Sequence, residues 1–157
     1  VALAERFATT IGLDLGQRRA LVWGAYLHDL GKIAVPDAIL LKPARLTEAE
    51  FDIIRKHTLV GEEMLRGIPF LPDDTREVVR HHHERWDGRG YPDQLAGEAI
   101  PLLARMFAII DVYDALTSDR PYKQAWSHED AIAEIERQAG AQFDPVLASH
   151  FLSEIAV

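Results

Sequence analysis

Residues 102–118 (LLARMFAIIDVYDALTS) limit the possible folds more than any other stretch of the chain. Pro101 is well placed for a first helical turn, and the run behind it is apolar on nearly every side. A helix of that kind is a buried element, so other elements have to cover it. The rest of the chain reads as more helices. Leu3, Phe7 and Ile11 keep helical spacing up to Gly12, so the chain is expected to open inside a helix, partway through a longer protein. Gln17 to about Leu30 is predicted as a second, largely apolar helix carrying Ala20, Leu21, Trp23 and Leu27. Thr47 and Glu50 match a capping box for a helix running through Phe51 and Ile54, with His57 near its end. Leu59, Met64, Leu65 and Ile68 continue helical spacing up to Pro69. Asp73 or Asp74 is a candidate cap for a helix through Val78 and Val79 into His81-His82-His83-Glu84. Ser127 opens a helix through Ala139, and Asp144-Pro145 opens the last. No alternating strand, repeat or low-complexity tract interrupts this pattern. The fold class is all-α, a single helical bundle. A length of 157 residues with 48% apolar types suits one domain with a real core.

Composition narrows the chemistry. With no cysteine, any metal must be held by histidine and carboxylate. A net charge of −8 argues against binding long nucleic acids through their phosphates, although a small anionic substrate is compatible with it. No run of about 18 apolar residues predicts a membrane span. A secretory signal pattern is absent as well, and a cytoplasmic setting is the expectation.

Polar residues then stand out where apolar ones belong. His28 and Asp29 close an apolar helix, and a buried charge or imidazole needs a hydrogen bond, a partner or an ion. Asp111 lies among Met106, Phe107, Ile109, Ile110 and Val112, so its carboxylate needs a cation, either a metal or an arginine such as Arg105 or Arg120. Taken singly, His28 reads as a hydrogen-bonded core histidine and His57 as a surface or helix-terminal one, whereas for His81 to His83 a solvated helix end is the lesser reading. His128 and His150 read as surface residues. Taken together, His28, Asp29, His57, His82, His83 and Asp111 offer four imidazoles and two carboxylates, a set suited to two transition-metal ions. Such ions acidify water and neutralise phosphate oxygens, which makes phosphoester hydrolysis the leading chemistry. Lys32, Arg120 and Lys123 are candidate phosphate contacts or solvated charges, and Asp114 a supporting or substrate-holding carboxylate. No Walker-type loop, serine elbow or cysteine nucleophile competes.

The pattern His28-Asp29-x-Gly31-Lys32, then His82-His83-Glu84-x-x-Asp87-Gly88-x-Gly90-Tyr91-Pro92, resembles the HD-GYP family of HD-domain metal-dependent phosphohydrolases. The likeness continues through Asp111-Val112-Tyr113-Asp114-Ala115-Leu116, Arg120-Pro121-Tyr122 and Phe143-Asp144-Pro145, and so covers nearly the whole chain. It implies that residues 1–157 form one HD-GYP-like domain lacking the start of its first helix. A further metal-ligating histidine of the family would fall just before Val1. The resemblance also implies cyclic di-GMP phosphodiesterase activity, giving the linear dinucleotide or GMP, with two divalent ions, Fe or Mn. One ion would be held by His28, Asp29 and Asp111, the other by Asp29 as a bridge with His57, His82 and His83. Asp29 and Lys32 carry the catalytic role. Lys32, Asp114, Arg120, Lys123, Gly90 and Tyr91 match positions that meet substrate. The expected partners are a cyclic dinucleotide, an upstream regulatory domain and, in a homodimer, a second copy. A rival reading is a catalytically weak module that binds the nucleotide or a signalling protein.

Overall fold

The computed structural model describes residues 1–119 and 124–155. The helices in it are α1 (Ala2–Ile11), α2 (Leu15–Leu27), α3 (Asp37–Leu40), α4 (Glu48–Arg55), α5 (His57–Leu65), α6 (Asp73–His81), α7 (Leu102–Thr117), α8 (His128–Gln138) and α9 (Pro145–Ile155). Short 3-10 turns occupy Leu30–Ala34 and Gly97–Ala99. Among the described residues extended pairing is limited to an isolated bridge between Ala139 and Phe143, and the all-α expectation holds.

The apolar run at 102–117 forms the centre of the bundle. Leu103, Met106, Phe107, Ile109 and Ile110 of α7 are buried against Phe7 of α1, Leu21 of α2, Val78 of α6, Ile135 of α8, and Leu147 and Phe151 of α9. Removing a large side chain from such a core costs about 2–5 kcal/mol, because the neighbours close the cavity only partly. A smaller apolar cluster of Leu65, Leu71 and Val79, with Trp23 and Leu27 against it, seals α2, α5 and α6 together on the side of the histidines.

The short α3 lies in a stretch where only a connection was expected, and the other departures from expectation lie at helix ends. The second helix begins at Leu15, before the expected Gln17, because Asp14 and Gln17 form a reciprocal capping box. It stops at Leu27, so His28 and Asp29 stand where the chain turns into the 3-10 segment. The Thr47–Glu50 capping box is present as expected. The helix it opens ends at Arg55, however, and His57 starts α5 where the end of a longer helix was expected. Side chains explain the break. The His57 ring takes the Ile54 carbonyl at 2.7 Å and the Thr58 hydroxyl takes the Arg55 carbonyl at 3.1 Å, satisfying the last turn of α4 from outside the helix ladder. Neither Asp73 nor Asp74 caps α6. Pro72 precedes the helix and both aspartates lie in its first turn, where their charge complements the helix dipole.

Candidate metal centre

Adjacent residues on one helix diverge by about 100°, so neither the 28–29 pair nor the 82–83 pair can converge while inside a helix. Both pairs sit where a helix has ended. His28 is the C-terminal cap of α2 and His82 that of α6. On α7, Phe107 and Asp111 lie one turn apart, and the Phe107 ring lies 4.9 Å from the His28 ring and 6.0 Å from the His82 ring. It forms an apolar floor beside them.

Ring orientation is set from behind. The Nδ1 of His28 donates to the Ala25 carbonyl at 2.9 Å, that of His57 to Ile54 at 2.7 Å, and that of His82 to Val79 at 2.9 Å. A carbonyl only accepts, so each Nδ1 carries the proton and each Nε2 is left with its lone pair. This is the tautomer a metal ligand needs, fixed by the second hydrogen bond. His57 Nε2 and His82 Nε2 are buried with no hydrogen-bond partner. Ligand atoms of His57, His82 and His83 all lie within 4.8 Å of one another.

Two carboxylates close the group. Asp29 Oδ2 is 3.5 Å from His28 Nε2, and its Oδ1 is 3.6 Å from His57 Nε2, so this residue spans the two histidines. Asp111 Oδ1 approaches His28 Nε2 at 3.7 Å. These separations exceed a hydrogen bond, and buried His57 Nε2 is left without one. Lys32 Nζ donates to Asp29 Oδ2 at 2.7 Å. Burial pushes the Asp29 carboxyl up, but the hydrogen bond from Lys32 and the nearby His28 outweigh it, and the group lies below the ordinary carboxylate value. Burial holds His57 below the usual imidazole value and His82 well below it. Burial, with His57 alongside, brings His83 down to about 3. Neutral, lone-pair-bearing rings beside an ionised carboxylate are the donor set for a divalent cation. The residues present therefore fit such an ion.

Close backbone approach makes this geometry possible. A Cβ on Gly31 would lie 1.9 Å from the His57 carbonyl oxygen and 2.6 Å from the Gly61 nitrogen, so the turn carrying Asp29 could not seat against α5 with any side chain there. Gly90 plays the same part in the loop after α6, where a Cβ would meet the Glu84 Cα and Arg85 nitrogen at 2.5 Å. That approach stacks Tyr91 on His83, with 4.8 Å between ring centroids and 26° between planes.

The expected residues His57, His82, His83, Asp111, Lys32, Gly90 and Tyr91 all line one cavity of about 470 Å³. Asp114 is exposed and does not line it. Arg120 and Lys123 lie outside the described residues. The arginine alternative for Asp111 through Arg105 does not arise, since Arg105 donates to Asp144 at 2.7 Å. His128 is exposed as expected, and it also bridges Tyr113 and the Ile155 carbonyl. Sequence reasoning missed Phe51, Arg55, Arg85, Arg89 and Gln142 on the cavity wall. The four-residue spacing of Phe51 and Arg55, ending two residues before His57, was the available signal for the first two.

Comparison with known proteins places the chain in a family. The HD domain family pattern matches residues 1–147. The chain belongs to the HD domain family. That family is metal-dependent, and the HD-GYP branch expected from the motifs is borne out by its relatives. The chain is 49% identical over 145 residues to the cyclic di-GMP phosphodiesterase response regulator RpfG of Xanthomonas campestris, covering 91% of this chain and 38% of the relative. It is 41% identical over 149 residues to a 3′3′-cGAMP-specific phosphodiesterase of Vibrio cholerae, covering 94% of this chain and 28% of the relative. The chain thus spans well under half the length of these relatives. An HDGYP protein from Bdellovibrio bacteriovorus has the same fold, with a TM-score of 0.76 at 17% identity, over 99% of this chain and 49% of that one. No helix among the described residues is long and apolar enough to cross a membrane.

Proposed function

We propose that the chain is the catalytic domain of a phosphodiesterase that hydrolyses cyclic di-GMP to the linear dinucleotide or GMP, using two divalent ions, Fe or Mn. One observation carries the reading: three rings, those of His57 and His82 buried and that of His28 part-buried, are tied by Nδ1 to backbone carbonyls and turn their Nε2 atoms toward a space bordered by Asp29 and Asp111. His28, Asp29 and Asp111 would hold one ion, and Asp29, His57, His82 and His83 the other. When bound, such ions supply Lewis acidity toward a phosphoryl oxygen and a water acid enough to act as nucleophile near neutral pH.

The chain's own residues supply the rest. The Nδ1–H groups stay donated to the carbonyls of Ala25, Ile54 and Val79, so the ring planes are fixed before substrate arrives. Lys32 orients Asp29 and lines the cavity, where its ammonium can turn from the carboxylate to a phosphate oxygen. Tyr91, stacked on His83, covers that ring from the side. Arg120 and Lys123 are assigned to a second phosphate and Asp114 to the substrate rim. The reading carries with it a cytoplasmic setting, an upstream regulatory domain and a homodimer.

The test is turnover of cyclic di-GMP by protein loaded with Mn or Fe, followed by separation of the products. Linear dinucleotide or GMP should appear, and a chelator should stop their formation. Protein that retains no metal and forms no product would overturn the proposal.

A further inference from the structure

One wall of the cavity has no role in the metal centre. Phe51 and Arg55 stand one turn apart on α4, and Arg55 Cζ lies 4.4 Å over the Phe51 ring and 5.7 Å from the Tyr91 ring. Tyr91 in turn stacks on His83. A series of planar groups therefore leads away from the metal centre, from His83 through Tyr91 and Arg55 to Phe51, along a cavity that all four line.

The other cations of the wall are differently engaged. Lys32 is bonded to Asp29, and Arg85 donates twice to Asp87, at 3.1 and 2.8 Å, and once to Gln142. Arg89 is exposed at the rim. Arg55 donates one bond from Nη1 to Asp52 at 2.9 Å, while its Nε is buried with no partner. A guanidinium placed over two rings, with its Nε buried against the wall and its Nη2 outside the one bond to Asp52, suits a planar ligand carrying paired acceptors. A phosphate would satisfy the edge but has no use for the flanking rings.

We propose that Arg55, with Phe51 and Tyr91, reads a guanine base of the substrate. Exposed Phe51 gives the purine a stacking surface, Tyr91 backs the guanidinium, and the Nη edge donates to guanine O6 and N7. Adenine presents an amino donor in place of O6, so the same edge meets a donor and discriminates against it. Arg55 is thus a specificity-determining residue, and this assignment rests on the proposed cyclic dinucleotide substrate.

The experiment measures the affinity of the metal-loaded protein for GMP and AMP by calorimetry, beside turnover of cyclic di-GMP, in wild type, Arg55→Ala, Arg55→Lys and Phe51→Ala. Wild type should prefer GMP. Arg55→Ala should weaken GMP about 10–100-fold and leave AMP within about twofold. Arg55→Lys should not restore the preference, because an ammonium lacks the planar fork. Phe51→Ala should weaken both nucleotides alike, as loss of a stacking surface does. Equal loss of GMP and AMP in Arg55→Ala, or no loss of either, would overturn the base assignment. Turnover of cyclic di-GMP with no GMP preference would overturn it alone, whereas GMP preference without turnover would overturn the proposed reaction and leave the base assignment standing.

Discussion

His81 and His82 are neighbours in the chain, and each belongs to a cluster of metal-ligand types whose ligand atoms lie within 4.8 Å of one another. The surroundings give the two clusters opposite characters. His82, His57 and His28 donate from Nδ1 to the backbone and aim Nε2 at a space where, apart from Lys32 on Asp29, no cation of the protein stands among the described contacts. His81 instead has a carboxylate near each ring nitrogen, with Nε2 at 3.2 Å from Glu77 and Nδ1 at 3.5 Å from Asp93, although this Nδ1 is itself buried without a hydrogen bond. Arg80 meets Asp93 through two hydrogen bonds, at 2.8 and 3.0 Å. Buried Glu84 accepts from the Asp93 and Leu95 backbone nitrogens at 2.7 and 3.1 Å. Arg80 and the two backbone N–H groups hold the carboxylates of the His81 cluster, which pins the loop that carries Gly90 and Tyr91. Among the described contacts the His82 cluster has no such counter-charge apart from Lys32 on Asp29. Residue type alone does not distinguish the two; what each donor atom already touches does.

The strongest way to break this contrast is Asp29→Ala. Losing the carboxylate that spans His28 and His57 should lower turnover by about 10³-fold or more and reduce bound metal, with the helical circular-dichroism signal unchanged. Kinetics and elemental analysis of the same sample check it, and full activity with full metal content would end the bridging role.

Acid should expose the same region in metal-free protein. Above about pH 6.5 His82 and His83 are neutral whether folded or unfolded. Below it the unfolded chain takes up protons that His82 and His83 refuse in the fold, so stability is lost as pH falls from 6.5 toward about 3, where His83 finally protonates. The cost is about 1.4 kcal/mol per pH unit for each such ring. Asp29, already low, contributes only below the ordinary carboxylate range. Urea midpoints should hold level from pH 8 to 7 and decline by pH 5. A midpoint unchanged across that span would contradict the burial of these rings.

Glu84→Gln probes the His81 cluster. An amide keeps one acceptor for the two backbone donors, so the fold should lose about 1–3 kcal/mol in urea unfolding while metal content is retained. Loss of metal with unchanged stability would reverse the roles of the two clusters. The smallest effect is expected at a cap remote from both. Thr47→Ala should cost about 1 kcal/mol and leave metal content and turnover as they were.

The helices were legible because their signals are local. The Thr47–Glu50 box, Pro101 and the apolar run behind it each act within a turn or two of chain. The six proposed ligands were legible as unusual residues in apolar surroundings and as motifs. Their convergence was not. It depends on α2 and α6 ending one residue before His28 and His82, and on a glycine letting the Asp29 turn touch α5. The start of α5 at His57 escaped prediction because side chains, rather than a proline or glycine, complete the end of α4. Arg55 and Phe51 escaped because a charged and an apolar residue four apart on an amphipathic helix look like any solvated face until Tyr91 arrives from the loop beyond α6.

The most direct test is the protonation of the histidine rings during a Zn²⁺ titration, read from long-range ¹H–¹⁵N correlations. In metal-free protein His28, His57 and His82 should show the Nδ1–H tautomer. Adding Zn²⁺ should shift the Nε2 resonances of these three, and the ligating nitrogen of His83, while His81 stays unmoved. Rings that begin as Nε2–H, or a His81 that responds before His57 and His82, would contradict the account.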